Sequence, residues 1–153
     1  MVSKMKQPIL VEVYGEPECG KTHFCFSGAE LGYNPFLIDT TPKAEGQAIA
    51  IKFFGDKYNE HYARARTLSD VRKYVDFALN NGYNIISIDT SANLQDMAIE
   101  EWKKEKGRDR PLPFEYGDIR DKVDNAVIYR VIPESTKEPY KAHLIFTSQT
   151  AWR

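Results

Sequence analysis

Apolar residues gather along the chain in short runs separated by longer segments of helical period. Residues 9–14 (ILVEVY) form a β-rich run that ends in Gly15, the look of a buried strand entering a turn. Pro35–Asp39 (PFLID), residues 84–89 (NIISID) and residues 143–148 (HLIFTS) repeat that pattern, and the first two of these end in aspartate. Between the runs, residues 23–31 predict a helix closed by Gly32. Residues 67–81 place Leu68, Val71, Val75, Ala78 and Leu79 on one helical face behind a Thr67/Asp70 capping pair. Residues 94–106 predict another helix, and residues 119–131 a further one with Ile119, Val123, Val127 and Val131 in a single stripe. A weaker extended segment is expected at 61–66, and loops at 41–46, 107–117 and 133–141. Strands alternating with helices predict an α/β fold, a mostly parallel sheet flanked by helices on both faces.

Length and charge narrow the function classes. The chain has 153 residues, which suits a single domain over 1–153. Hydrophobic residues at 42% and charged residues at 28% are ordinary globular usage. With 21 Lys+Arg against 22 Asp+Glu, the net charge of -1 supplies no overall field for nucleic acid or anionic membrane, so any basic footprint must be local. Neither a membrane-length apolar run nor a secretory apolar stretch is visible, and the two cysteines do not suggest a disulfide framework. The expected setting is cytoplasmic, including a host cytoplasm if the protein is viral.

The chemistry is concentrated in Gly15-Glu16-Pro17-Glu18-Cys19-Gly20-Lys21-Thr22, a full G-x-x-x-x-G-K-[ST] phosphate loop between a strand and a helix. Glycines permit a tight turn whose amides point inward, and the following helix directs partial positive charge at a phosphate. Lys21 is placed for the β- and γ-phosphates of a nucleotide, and Thr22 for Mg²⁺. A metal-organising carboxylate is expected at the end of a neighbouring apolar strand; Asp89 is the first candidate and Asp39 the second. His23, His61 and His143 lack zinc-ligand spacing.

The phosphate loop, the segment IISIDTSANL with Asp89-Thr90-Ser91, and LIFTSQT with Gln149 resemble the ATPase core shared by RecA, archaeal RadA and KaiC. Within that group the chain looks most like small RecA-like NTP-binding proteins of phages and archaeal viruses that act in single-strand annealing. The resemblance runs over residues 9–149. It implies a Mg²⁺-dependent, homo-oligomeric ATPase that binds ATP and ADP, handles single-stranded DNA in recombination, and uses Gln149 to sense the γ-phosphate. Two departures stand out. The family's catalytic glutamate falls at Thr41, which cannot serve as a general base near neutral pH. Glu45 is close in sequence and could swing in, although a solvated loop glutamate is the favoured reading of it, so slow hydrolysis is expected. The chain also stops where such cores continue: either it is truncated, in which case the phosphate-loop strand becomes an exposed sheet edge, or it is an unusually short natural version.

The same resemblance points to DNA contacts after the Asp89 strand. Lys103, Lys104, Lys106, Arg108 and Arg110 precede the loop PLPFEYG, in which Phe114 and Tyr116 are candidates to stack on unpaired bases. Interleaved Glu100, Glu101, Glu105, Asp109 and Glu115 favour a solvated helix face instead. A small P-loop kinase would use Lys21, Thr22 and Asp89 as well, with Arg64, Arg66, Arg108 and Arg110 imitating its lid, but would leave Gln149 without a role. A non-catalytic nucleotide-binding assembly module is the third reading, favoured by Thr41 and the short ending.

Overall fold

The computed structural model describes residues 8–16, 19–132 and 142–149. Its centre is a parallel five-stranded sheet made of β1 (Leu10–Gly15), β2 (Pro35–Asp39), β3 (Tyr62–Arg64), β4 (Ile85–Asp89) and β5 (His143–Gln149). Spatial order is β1-β5-β4-β2-β3, so the last strand in sequence is inserted between the phosphate-loop strand and the Asp89 strand. Among the described residues, six α-helices connect these strands: α1 (Lys21–Ser27), α2 (Gln47–Phe54), α3 (Leu68–Asn80), α4 (Ala92–Lys106), α5 (Tyr116–Ala126) and α6 (Ile128–Val131).

Because strand side chains alternate between faces, each central strand feeds two cores. Phe36, Ile38, Ile86, Ile88 and Leu144 meet α3 to α6 through Val71, Val75, Ala98, Trp102, Ile119 and Val131. Leu37, Ile85 and Ile145 point the other way, to Cys25, Phe26 and Ala50 on α1 and α2. The strands β2 and β4 are buried at every position, as the apolar runs predict. At the edge, β1 alternates between exposed and half-buried residues, and Leu10 and Tyr14 stand outside either core.

Most predicted elements fall within a residue or two of the observed ones, and the weak 61–66 segment is β3. The capping pair is real: Thr67 Oγ1 accepts from the Asp70 amide at 3.1 Å and Asp70 Oδ2 accepts from the Thr67 amide at 3.2 Å. Three expectations need correction. The helix expected at 23–31 is α-helical only to Ser27, and a 3-10 turn over Gly28–Leu31 carries it to Gly32, whose φ of 88° needs a glycine. The stripe from Ile119 to Val131 spans two helices, because Val127 at φ -127°, ψ -67° leaves helical geometry; its apolar residues stay in one core across the break. The expected loop at 107–117 is shortened by a 3-10 turn at Pro113–Glu115 and by the start of α5 at Tyr116. Helix α2 carries no prediction at all. Its buried side is only Ala50 with half-buried Ile49, Phe53 and Phe54, too short a stripe to register in sequence. The loop expected at 133–141 lies outside the described residues.

Candidate phosphate and metal site

The C-terminal ends of the strands bring the motif residues together. Gly15 ends β1, and Gly20 stands at φ 97° immediately before α1, a conformation that favours glycine. A Cβ on Gly15 would lie 2.3 Å from Sγ of the exposed Cys19, whose side chain would have to turn away to admit it. The Lys21 ammonium curls into the loop and donates to the carbonyls of Gly15 at 2.7 Å and Glu16 at 2.8 Å. Pro17 and Glu18 lie outside the described residues.

Register then aligns three polar residues side by side. Asp39 pairs with Asp89 across β2 and β4, and Asp89 with Thr147 across β4 and β5. All three lie on the face that carries α1, so Thr22 on the first turn of that helix reaches across to β4. Thr22 Oγ1 donates to Asp89 Oδ2 at 2.7 Å, and Thr147 Oγ1 donates to Asp89 Oδ1 at 2.6 Å. Asp89 is 6% exposed and makes no ion pair among the described residues. Two hydroxyls therefore orient a buried carboxylate without cancelling its charge.

Asp39 has a different job. Oδ1 accepts from the Thr41 amide at 2.8 Å and the Thr41 hydroxyl at 2.5 Å, while Oδ2 accepts from the Gly46 amide at 3.0 Å and the Tyr62 hydroxyl at 2.5 Å. Four donors fill its lone pairs, and the carboxylate staples the 41–46 loop to β3. Burial, and then the bond to Asp39, pushes the Tyr62 phenol well above its ordinary range, so it stays a donor. Asp39, the second candidate for the metal, thus has both its carboxylate oxygens engaged by donors of the loop and of β3.

That loop also accounts for Thr41 and Glu45. Thr41 is buried, its hydroxyl donating to Asp39 and accepting the Glu45 amide at 3.0 Å. Glu45 is exposed, with its carboxylate unengaged among the described hydrogen bonds. Gln149 closes β5 with its Cα opposite Gly15; its side chain lies outside the described residues.

The cations expected to meet DNA are not brought to this rim. Ser91, just before α4, donates its amide to the Thr147 carbonyl, and from there a 15-residue helix carries the chain about 22 Å away. Lys103 pairs with Glu100 at 3.0 Å. Arg108 Nη2 donates to both oxygens of Glu115 at 2.7 and 2.8 Å, and its guanidinium lies 5.0 Å from the centroid of the Trp102 ring. Lys104 and Arg110 form no ion pair among the described residues. Phe114 is 79% exposed and Tyr116 43%.

Thr147 and Tyr62 escaped the sequence reading. Thr147 lies in the LIFTSQT segment, and alternation with Ile145 places it on the phosphate-loop face, but its partner could be named only once β5 lay beside β4. Nothing in the sequence ties Tyr62 to Asp39, 23 residues earlier.

Among the described residues no helix is long and apolar enough to cross a membrane, and no three His, Cys, Asp or Glu side chains gather as a metal site. No family model matches the chain, and no curated protein does. Among solved structures it is similar to the pCW3 conjugation coupling protein TcpA, in its monomer form with ATPgS. Identity is 11% and the TM-score 0.45, over 92% of this chain and 43% of that one. A likeness of that degree assigns neither a family nor an activity.

Proposed function

We propose that this chain binds a nucleoside triphosphate, ATP in the first instance, with Mg²⁺ and hydrolyses it slowly. The observation that carries the reading is the 2.7 Å bond from Thr22 to Asp89, because it joins the last residue of the phosphate-loop motif to an otherwise uncompensated carboxylate. The donor set fits the ion. Mg²⁺ is held by one or two protein oxygens together with phosphate oxygens and water rather than by a cage of carboxylates, and each Asp89 oxygen keeps a second lone pair.

The residues divide the work. Loop amides and Lys21 bind the β- and γ-phosphates, the ammonium exchanging its carbonyl partners for phosphate oxygens. Thr22 and Asp89 would hold Mg²⁺, which when bound supplies charge stabilisation at the phosphates. Glu45 is the carboxylate nearest in sequence to the family's base position, and it sits on an exposed loop rather than on the rim itself. Turnover is accordingly low, since general-base assistance is worth about 10² to 10⁴ in rate.

The finer reading is of the RecA type, with nucleotide state coupled to homo-oligomerisation and to single-stranded DNA. The exposed Phe114 ring, with Lys104 and Arg110 outside any ion pair among the described residues, supports the DNA part. The kinase alternative is weakened by two of its lid arginines, as Arg64 donates to the Pro42 carbonyl at 2.7 Å and Arg108 is occupied by Glu115. Calorimetry of Lys21→Ala tests the core claim. Loss of a charge-assisted contact worth about 1.5 to 3 kcal/mol predicts ATP binding at least tenfold weaker. Equal affinity in the two proteins would remove the phosphate-loop assignment. Turnover with and without single-stranded DNA, and with phosphate acceptors, separates the ATPase from the kinase and the assembly module.

A further inference from the structure

Thr147 is fully buried in β5, where its neighbours toward the N-terminus are Leu144, Ile145 and Phe146. Valine would have the same shape and a strong strand preference there, and a buried hydroxyl is destabilising unless it is hydrogen-bonded. The Thr147 hydroxyl has one described partner as donor, Asp89 Oδ1 at 2.6 Å. Its carbonyl accepts from Thr90 Oγ1 at 2.8 Å and from the Ser91 amide at 2.9 Å, the turn that leads into α4. Asp89 is thus gripped on both sides: one oxygen by Thr22, which belongs to the phosphate loop, and the other by Thr147, which belongs to the sheet.

We propose that Thr147 is the positioning residue for Asp89, holding the carboxylate through Oδ1 so that Oδ2 stays turned toward Thr22 when that threonine's hydroxyl is drawn to Mg²⁺. The inference rests on the phosphate-loop reading. It gives the two threonines unequal roles. The Thr22 bond is exchangeable, because the same oxygen is wanted by the metal, whereas the Thr147 bond persists and fixes the side-chain torsions of Asp89. Partners that orient a metal-binding side chain in this way typically change metal affinity by about 10- to 100-fold when removed.

The test uses the full chain, with Thr147→Val deleting the hydroxyl while leaving the carbonyl and its bonds to Thr90 and Ser91, and Thr147→Ser restoring it. ATP binding is measured by calorimetry in EDTA and across a Mg²⁺ titration, with Lys21→Ala alongside. In Thr147→Val, the Mg²⁺ concentration that half-saturates the ATP complex should rise by about tenfold or more, metal-free ATP affinity should stay within about twofold, and Thr147→Ser should follow the wild type. A purely structural role would instead lower ATP affinity equally with and without metal, and that result overturns the proposal. Should Thr147→Val not fold, Thr147→Cys, a weaker donor of similar size, takes its place and must fall below Thr147→Ser in Mg²⁺ affinity. Lys21→Ala separates the two failures. If it weakens ATP binding while Thr147→Val keeps the wild-type Mg²⁺ response, only the positioning role is lost. If it leaves ATP binding intact, or if the wild type binds no ATP, the phosphate-loop reading falls and this inference with it.

Discussion

The strand-end rim and the outer face of α4 both concentrate charge, and they compensate it in opposite ways. On α4 and in the segment that follows it, carboxylates meet cations. Arg72 joins Glu101 at 2.6 Å, Lys122 bridges Glu101 and Glu105 at 3.3 and 2.9 Å, and Arg108 closes on Glu115. At the rim, Asp39 and Asp89 are met by hydroxyls and amides, with no ion pair among the described residues. A guanidinium or ammonium cancels a carboxylate's charge and leaves little for a ligand. A hydroxyl satisfies a lone pair and leaves the charge in place, so a buried carboxylate held by threonines attracts a cation. Within the rim the contrast is repeated: Asp39 has four donors and fastens a loop, whereas Asp89 has two and keeps coordination capacity.

Exchanging the two aspartates for asparagine gives the largest predicted effect. Asp89→Asn removes the charge from the proposed metal site, and since a bound metal contributes several kcal/mol to the transition state, Mg²⁺-dependent turnover should fall by about 10²-fold or more. Folding should be nearly unchanged. Asp39→Asn sets an amide NH₂ among four donors and should lower stability by about 3 kcal/mol in urea melts. If Asp39→Asn abolishes Mg²⁺ dependence while the protein stays folded, the division within the rim is wrong.

A smaller effect separates the cations of α4 from one another and from those of the segment after it. Arg108→Ala strips Glu115, itself 7% exposed, of its guanidinium partner and should cost about 1 to 3 kcal/mol in thermal unfolding. Lys104 and Arg110 are, besides Lys106, the cations of this cluster that form no ion pair among the described residues. Replacing both with alanine should barely affect stability, but should shallow the salt dependence of single-strand binding by about 0.7 in log-log slope per contact. Loss of slope on Arg108→Ala alone, with the fold intact, would return that residue to the DNA surface.

The smallest effect is a pH window. The hydrogen bond from Arg72, opposed by burial and reinforced by Lys122, holds the Glu101 carboxyl at about 2, against 4.5 ordinarily. A depressed carboxyl contributes its full stabilisation above the unfolded value and loses it as pH falls through the folded one. Wild type should therefore exceed Glu101→Gln by about 1 kcal/mol above pH ~4.5, and the gap should close toward pH 2. A gap that persists to pH 2 would mean that Glu101 acts through packing rather than through its charge.

What was legible in the sequence was whatever is encoded within a few residues. The phosphate loop is eight contiguous positions, the Thr67/Asp70 cap spans four, and buried strands such as PFLID and IISID announce themselves by unbroken apolar character. The ion pairs of α4 were half-legible, since alternating signs mark a solvated face without saying which cation meets which acid. Arg108 reads as a free cation until Glu115 folds back on it. Asp39 and Asp89 end their strands alike, and their different fates depend on Tyr62, Thr147 and Thr22, which arrive from other elements.

Local order therefore determined the α/β alternation, the motif and the short list of carboxylates, because hydrophobic period, glycine conformation and capping act over one or two turns of chain. Only the tertiary structure decided which carboxylate faces the phosphate loop. That choice follows from inserting β5 between β1 and β4 and from a register that sets Thr147 against Asp89, and hydrogen bonds across 58 and 67 residues of sequence exist only once the sheet has closed those distances.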